Sequence, residues 1–143
     1  MRERRRVVLS VYLILRQEES VLLYLRQNTG FEDGKYGLVS GHVEANESAK
    51  QAMVREASEE AGIHLLESDL KFAHVIHRTS DRDNVDIFFE CDQWTGSIEN
   101  REPDKCAELA FYPLDDCPEN LIPYIRNVLK AVKTETAYSE SGW

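Results

Sequence analysis

Apolar and polar positions along this chain fall into blocks whose period changes several times. Val7-Val8-Leu9-Ser10-Val11-Tyr12-Leu13-Ile14-Leu15 is a nearly unbroken run of β-branched and aliphatic side chains, which predicts a buried strand. Gln17 to Ser20 is a polar turn, and Val21 to Leu25, ending at Arg26, predicts a second strand, so that the two form a hairpin. Asn28 to Gly37 holds Gly30, Gly34 and Gly37 and reads as a loop.

The period then becomes helical. Asn46 or Ser48 caps the start, Ser48-Ala49-Lys50-Gln51 fits a capping box, and Gly62 supplies the stop. Leu70 to His77 and Val85 to Cys91 predict two further strands, split by the polar turn Ser80 to Asn84. A loop from Gly96 to Lys105 leads to a short strand, Leu109 to Tyr112, and Pro118 to Val132 reads as a second helix, with Pro123 as an alternative start. No repeat or linker divides the chain, so one domain over residues 1–143 is expected, with residues 1–5 and 134–143 as flexible polar tails. Strands mixed with two helices imply an α/β sandwich around a mixed sheet.

Charge narrows the possible partners. With 26 acidic against 17 basic residues, the formal net charge is −9. An acidic surface argues against binding a nucleic-acid polymer or an anionic membrane, and it would repel any phosphorylated substrate unless a cation intervenes. No apolar run approaches the roughly 20 residues needed to span a bilayer. Cys91, Cys106 and Cys117 contain no CxxC pair. They read as reduced thiols of a cytoplasmic protein rather than as a disulfide framework or zinc site. The basic start, Met1 to Arg6, reads as a solvated tail, and the run after it lacks a signal-peptide cleavage site.

Against that background one cluster stands out. On the first helix, Glu56, Glu59 and Glu60 fall within an arc of roughly 100°. Glu56 and Glu60 are like charges at i,i+4, and all three lie near the negative end of the helix dipole. Carboxylates held against both rules need solvent or a cation. Oxygen ligands suit Mg²⁺, with Mn²⁺ as a substitute, and such an ion would let an acidic protein hold a polyanion. Val54, Ala57 and Ala61 share another face of this helix and are expected to pack on the sheet.

The wider spacing resembles the Nudix hydrolase signature, G-x5-E-x7-R-E-U-x-E-E-x-G-U, with U aliphatic. Here it reads Gly41, Glu47, Arg55-Glu56, Ala57, Glu59-Glu60, Gly62, Ile63. With each fixed letter at roughly 6% usage, a chance match at one start is on the order of 10⁻⁹. Ala57 is small for its aliphatic position, and Val39-Ser40 stands where Pro-Gly usually precedes the box, which leaves the shape of the loop before Gly41 open.

The resemblance implies an α/β/α sandwich with a mixed sheet and Mg²⁺-dependent hydrolysis of a phosphoanhydride in a nucleoside diphosphate linked to another group. It also implies metal ligation by Glu56, Glu60, Glu59 and the Gly41 carbonyl. Arg55 orients the carboxylates, Glu47 supports the helix start, and Glu59 is the first choice of general base. Glu102, Asp104 and Glu108 are candidates for a further base or ligand from outside the box. Arg26 is a candidate phosphate contact, Tyr36, Phe31 and Trp94 are candidate stacking residues, and Asn120 is a candidate for reading a base edge. His74 and His77 are expected on opposite faces of a strand, neither of them catalytic. The expected substrate is a small nucleotide, first a nucleoside triphosphate. A nucleotide sugar, a dinucleoside polyphosphate and a non-catalytic nucleotide-binding module are the alternatives, and a homodimer remains open.

Overall fold

The computed structural model describes residues 2–143. Eight strands and two helices follow one another as β1 (Val8–Gln17), β2 (Ser20–Arg26), β3 (Tyr36–Gly37), β4 (Val39–His42), α1 (Ala49–Ala61), β5 (Lys71–Thr79), β6 (Asp83–Cys91), β7 (Cys106–Pro113), α2 (Pro123–Lys133) and β8 (Tyr138–Ser141). A single 3-10 turn, Glu67–Asp69, precedes β5.

The first apolar run becomes the central strand because it is buried on both sides. Val11, Leu13 and Leu15 face one core, with Ala52, Met53, Ala57 and Ala61 of α1. Tyr12 and Ile14 face the other, with Ile125, Val128 and Leu129 of α2. Successive side chains of a strand point to opposite faces, so an unbroken apolar run requires cover on both. The result is the expected α/β/α sandwich. Its sheet is mixed: β1 pairs in parallel with β6 and β5 with β8, whereas the remaining pairs are antiparallel.

Several expectations change in detail. β1 and β2 pair only at Arg16↔Val21 and Gln17↔Ser20, because β4 takes the edge of β1 from Ser10 to Leu13. β2 turns away to pair with β7 and β3. The second helix starts at Pro123 rather than Pro118. Proline lacks the N–H that a first helical position leaves unpaired anyway, and the residues before it cross to Tyr36, whose carbonyl accepts from Ile122 N–H at 2.9 Å. Part of the C-terminal segment, expected as a tail, forms strand β8. β8 lies along β5, His74 holds it through Thr136 O at 2.6 Å and Ser139 Oγ at 2.7 Å, and Trp143 donates to His77 O at 3.0 Å. Of the N-terminal tail, Met1 lies outside the described residues, and Arg5 pairs with Asp83. No helix among the described residues is long and apolar enough to cross a membrane, and the three cysteines are free.

Candidate active site

The site is built on α1 and on the strand beneath it. Ser48, not Asn46, caps the helix: its side chain accepts from Gln51 N–H at 3.1 Å, and Gln51 Oε1 accepts from Ser48 N–H at 2.8 Å. Gly62 closes the helix in the left-handed conformation, φ 69°, which glycine adopts without steric cost. The residues before Gly41 form strand rather than loop. β4 pairs with β1, Gly41 opposite Val11. A Cβ on Gly41 would stand 2.2 Å from Glu56 Cδ, so only glycine lets this backbone lie against the Glu56 carboxylate.

Arg55 organises the box. Its Nη2 and Nε donate to the two oxygens of Glu47 at 2.7 and 3.1 Å, its Nη1 donates to Glu56 at 2.8 Å and to Glu59 at 3.3 Å, and Nη2 also reaches His42 O at 3.1 Å. The forked contact to Glu47 fixes the guanidinium plane. Hydrogen bonding to Glu47 and then Glu56, working against burial, raises Arg55 above its ordinary value, and Arg55 in turn lowers Glu47.

Glu60 is placed differently. It is 7% exposed, and burial, followed by the adjacent Glu56 carboxyl and the charge of Glu102, raises it well above the ordinary carboxylate range, with the Ser40 backbone amide opposing. Tyr24, from β2, donates to Glu102 at 3.3 Å. Glu60 thus has two acidic neighbours, Glu56 and Glu102, and forms no ion pair among the described residues. Glu59 stands apart, 56% exposed and drawn to Arg55.

The other predicted residues are scattered. Of the three acids outside the box, only Glu102 reaches the cluster. Glu108 accepts from Tyr36 at 3.0 Å and from Tyr112, and Asp104 offers its backbone carbonyl to Asn28. Tyr36 and Asn120 line an open groove of about 920 Å³ between the β2–β3 loop and the start of α2, with Asn120 tied to Gly34 O at 2.9 Å. Trp94 stacks on Phe111 against the α1 core. Arg26 binds Phe31 O at 2.7 Å and also lines a second cleft, of about 420 Å³, which ends at Ser40, Gly41 and His42.

This second cleft was missed in the sequence, although it adjoins the box. Arg78, Arg82, Asn84 and Tyr124 line it, with Asp86 paired to Arg78 at 2.7 Å. The available signal was the alternation itself: Arg78 falls in phase with His74 and Ile76, and Asp86 with Asn84 and Phe88, all on buried positions of β5 and β6.

The donors fit a hard divalent cation. No three Asp, Glu, His or Cys side chains among the described residues form a closed cage. Two adjacent carboxylates beside a glycine backbone nevertheless match what Mg²⁺ takes from proteins: one or two carboxylates, with water and substrate phosphate completing its shell.

The NUDIX domain family model matches residues 4–132. A curated relative, an ADP-ribose pyrophosphatase of Methanocaldococcus jannaschii, is 31% identical over 110 residues, covering 74% of this chain and 62% of that protein. The chain thus spans less than two thirds of that relative's length. Among solved structures, a MutT NUDIX hydrolase from Burkholderia pseudomallei superimposes with TM-score 0.81 at 25% identity, covering 88% of this chain and 98% of that one. A MutT protein from Methanosarcina mazei superimposes with TM-score 0.80 at 24% identity, covering 94% and 98%; at that identity it speaks for the fold.

Proposed function

Because the chain belongs to the NUDIX domain family, we propose that it hydrolyses a phosphoanhydride in a nucleoside diphosphate linked to another group, first a nucleoside triphosphate, with Mg²⁺ or Mn²⁺ as cofactor. The observation that carries this reading is the close approach of the Gly41 backbone to Glu56, with Glu60 buried alongside and a cleft of about 420 Å³ opening at the same glycine. Glu56, Glu60 and the Gly41 carbonyl would hold the ion. When bound, it supplies neutralisation of phosphate oxygens and acidification of a water.

The chain's own residues do the positioning. Glu47 fixes Arg55, and Arg55 fixes Glu56 and the His42 carbonyl, so the carboxylate is oriented before substrate arrives. Glu59 is assigned the general base: it is the exposed carboxylate of the box, and it shares the Arg55 Nη1 donor with Glu56. Glu102, hydrogen-bonded by Tyr24, is the supporting acid on the opposite wall.

A nucleotide-sugar substrate is the second reading, favoured by the name of the Methanocaldococcus jannaschii relative. A binding module without catalysis is disfavoured, because every fixed letter of the box is present. Hydrolysis of a panel of nucleoside triphosphates, nucleotide sugars and dinucleoside polyphosphates with Mg²⁺ and Mn²⁺, with product analysis in ¹⁸O water, tests all three. Turnover that depends on Glu60 supports the proposal. No turnover of any member, or undiminished turnover by Glu60→Gln, overturns it.

A further inference from the structure

The cleft beside Gly41 contains a guanidinium that the chemistry above does not use. Arg78 is 8% exposed. It donates Nε–H to Asp86 Oδ2 at 2.7 Å, with Nη2 3.5 Å from Oδ1, and lies over the Tyr124 ring at 4.5 Å. Tyr124 is in turn held by the Tyr12 hydroxyl at 2.9 Å. One edge of the guanidinium is therefore committed to Asp86. Nη1 has no hydrogen-bond partner among the described residues, and with the second hydrogen of Nη2 it forms the other, open edge of the fork. Phe31, 41% exposed, stands 6.0 Å from this guanidinium and 5.4 Å from that of Arg26.

An arginine already neutralised by a buried carboxylate draws a second anion less strongly than a free one does. It still presents two parallel N–H donors, held rigid, beside an exposed aromatic ring. The complementary neutral group is planar and offers two adjacent acceptors with no donor between them. In a purine that is the O6 and N7 edge of a 6-oxo base; adenine offers an acceptor beside a donor there. We infer that Arg78 selects the base of the substrate, preferring guanine and hypoxanthine nucleotides to adenine nucleotides, with Phe31 against the base face. The inference rests on the nucleotide reading above and narrows it to a base. A phosphate or carboxylate shares the two-acceptor chemistry, so the test separates these sources.

Affinities of the full chain for GMP, IMP, 7-deaza-GMP, AMP and ribose 5-phosphate, measured calorimetrically with Mg²⁺, decide the matter, alongside hydrolysis of GTP and ATP. GMP and IMP are expected to bind alike and about tenfold or more tighter than AMP, the discrimination of one bidentate pair, and 7-deaza-GMP to lose most of that advantage. Arg78→Lys keeps the charge but not the fork and should bring the GMP-to-AMP ratio toward one. The pair Arg78→Gln with Asp86→Asn should do the same without leaving a buried charge alone, and its melting temperature reports whether it folds. Equal affinities for GMP and AMP in the unmodified protein overturn the inference without any variant. Ribose 5-phosphate binding as tightly as GMP, with no base preference, assigns the edge to phosphate and overturns it too. If neither triphosphate is hydrolysed but the base ratio holds, the catalytic proposal fails and this one stands; if no nucleotide binds, both fail.

Discussion

The two faces of the central sheet handle buried charge in opposite ways. Toward α1, Glu60 is buried next to Glu56 and near Glu102, and Arg55, the cation among the fixed letters of the box, spends its donors on Glu47, Glu56 and Glu59. Toward α2, the fully buried Asp86 has its own guanidinium at 2.7 Å, which is stacked on Tyr124. The first arrangement leaves Glu60 without a partner cation among the described residues, and under the proposed function a divalent cation would supply the missing charge. In the second the buried carboxylate is matched by a positive side chain of the protein, and only the outer edge of that guanidinium is left to form hydrogen bonds. The difference teaches that a buried carboxylate marks a cation-binding site only when its neighbourhood lacks a matching positive side chain.

Four changes would break or sharpen this contrast, taken from the largest expected effect. Asp86→Ala strands Arg78 in the interior and should cost about 3–5 kcal/mol of stability, read as a fall in the denaturation midpoint. Glu60→Gln should lower kcat by at least about 10²-fold, in line with several kcal/mol of lost transition-state stabilisation. Without metal, its melting temperature should equal or exceed that of the unmodified protein, because a poorly matched buried charge has gone. A large destabilisation there instead would mean that Glu60 is structurally paired, and the contrast between the faces would fail. Arg55→Lys keeps the charge but loses the fork on Glu47, and should lower turnover by about 10–100-fold with kcat falling more than KM rises. Ser48→Ala removes the cap that starts α1, and should cost about 1 kcal/mol while leaving metal-dependent turnover per folded molecule nearly unchanged.

Legibility differed between the faces for a physical reason. The box lies within one helix and the strand just before it, so its spacing is a local matter of 3.6 residues per turn and could be counted along the chain. The helix limits, Ser48 and Gly62, were likewise local: one is a side-chain cap and the other a left-handed stop. The cleft depends instead on partners far apart in the chain. Tyr12 meets Tyr124 across 112 positions, and Phe31 meets Arg78 only because the β2–β3 loop folds over the β5–β6 hairpin. Glu102 and Glu108 looked equivalent as loop and strand acids, yet Tyr24 takes one toward the box and Tyr36 takes the other away from it. The C-terminal strand escaped notice for the same reason: a polar segment such as Tyr138–Ser141 becomes a strand only when the edge of β5 offers it backbone partners.

The sequence by itself determined the helix that carries the carboxylates, the glycine beneath them and the two-sided burial of the first strand, since each follows from spacing along a few consecutive turns or pleats. Only the tertiary structure decided which outlying acid joins the box, where Glu59 points, and that Arg78 and Asp86 pair at the wall of a cleft. Those outcomes depend on contacts whose geometry is set by how the sheet is assembled, and no local period encodes that.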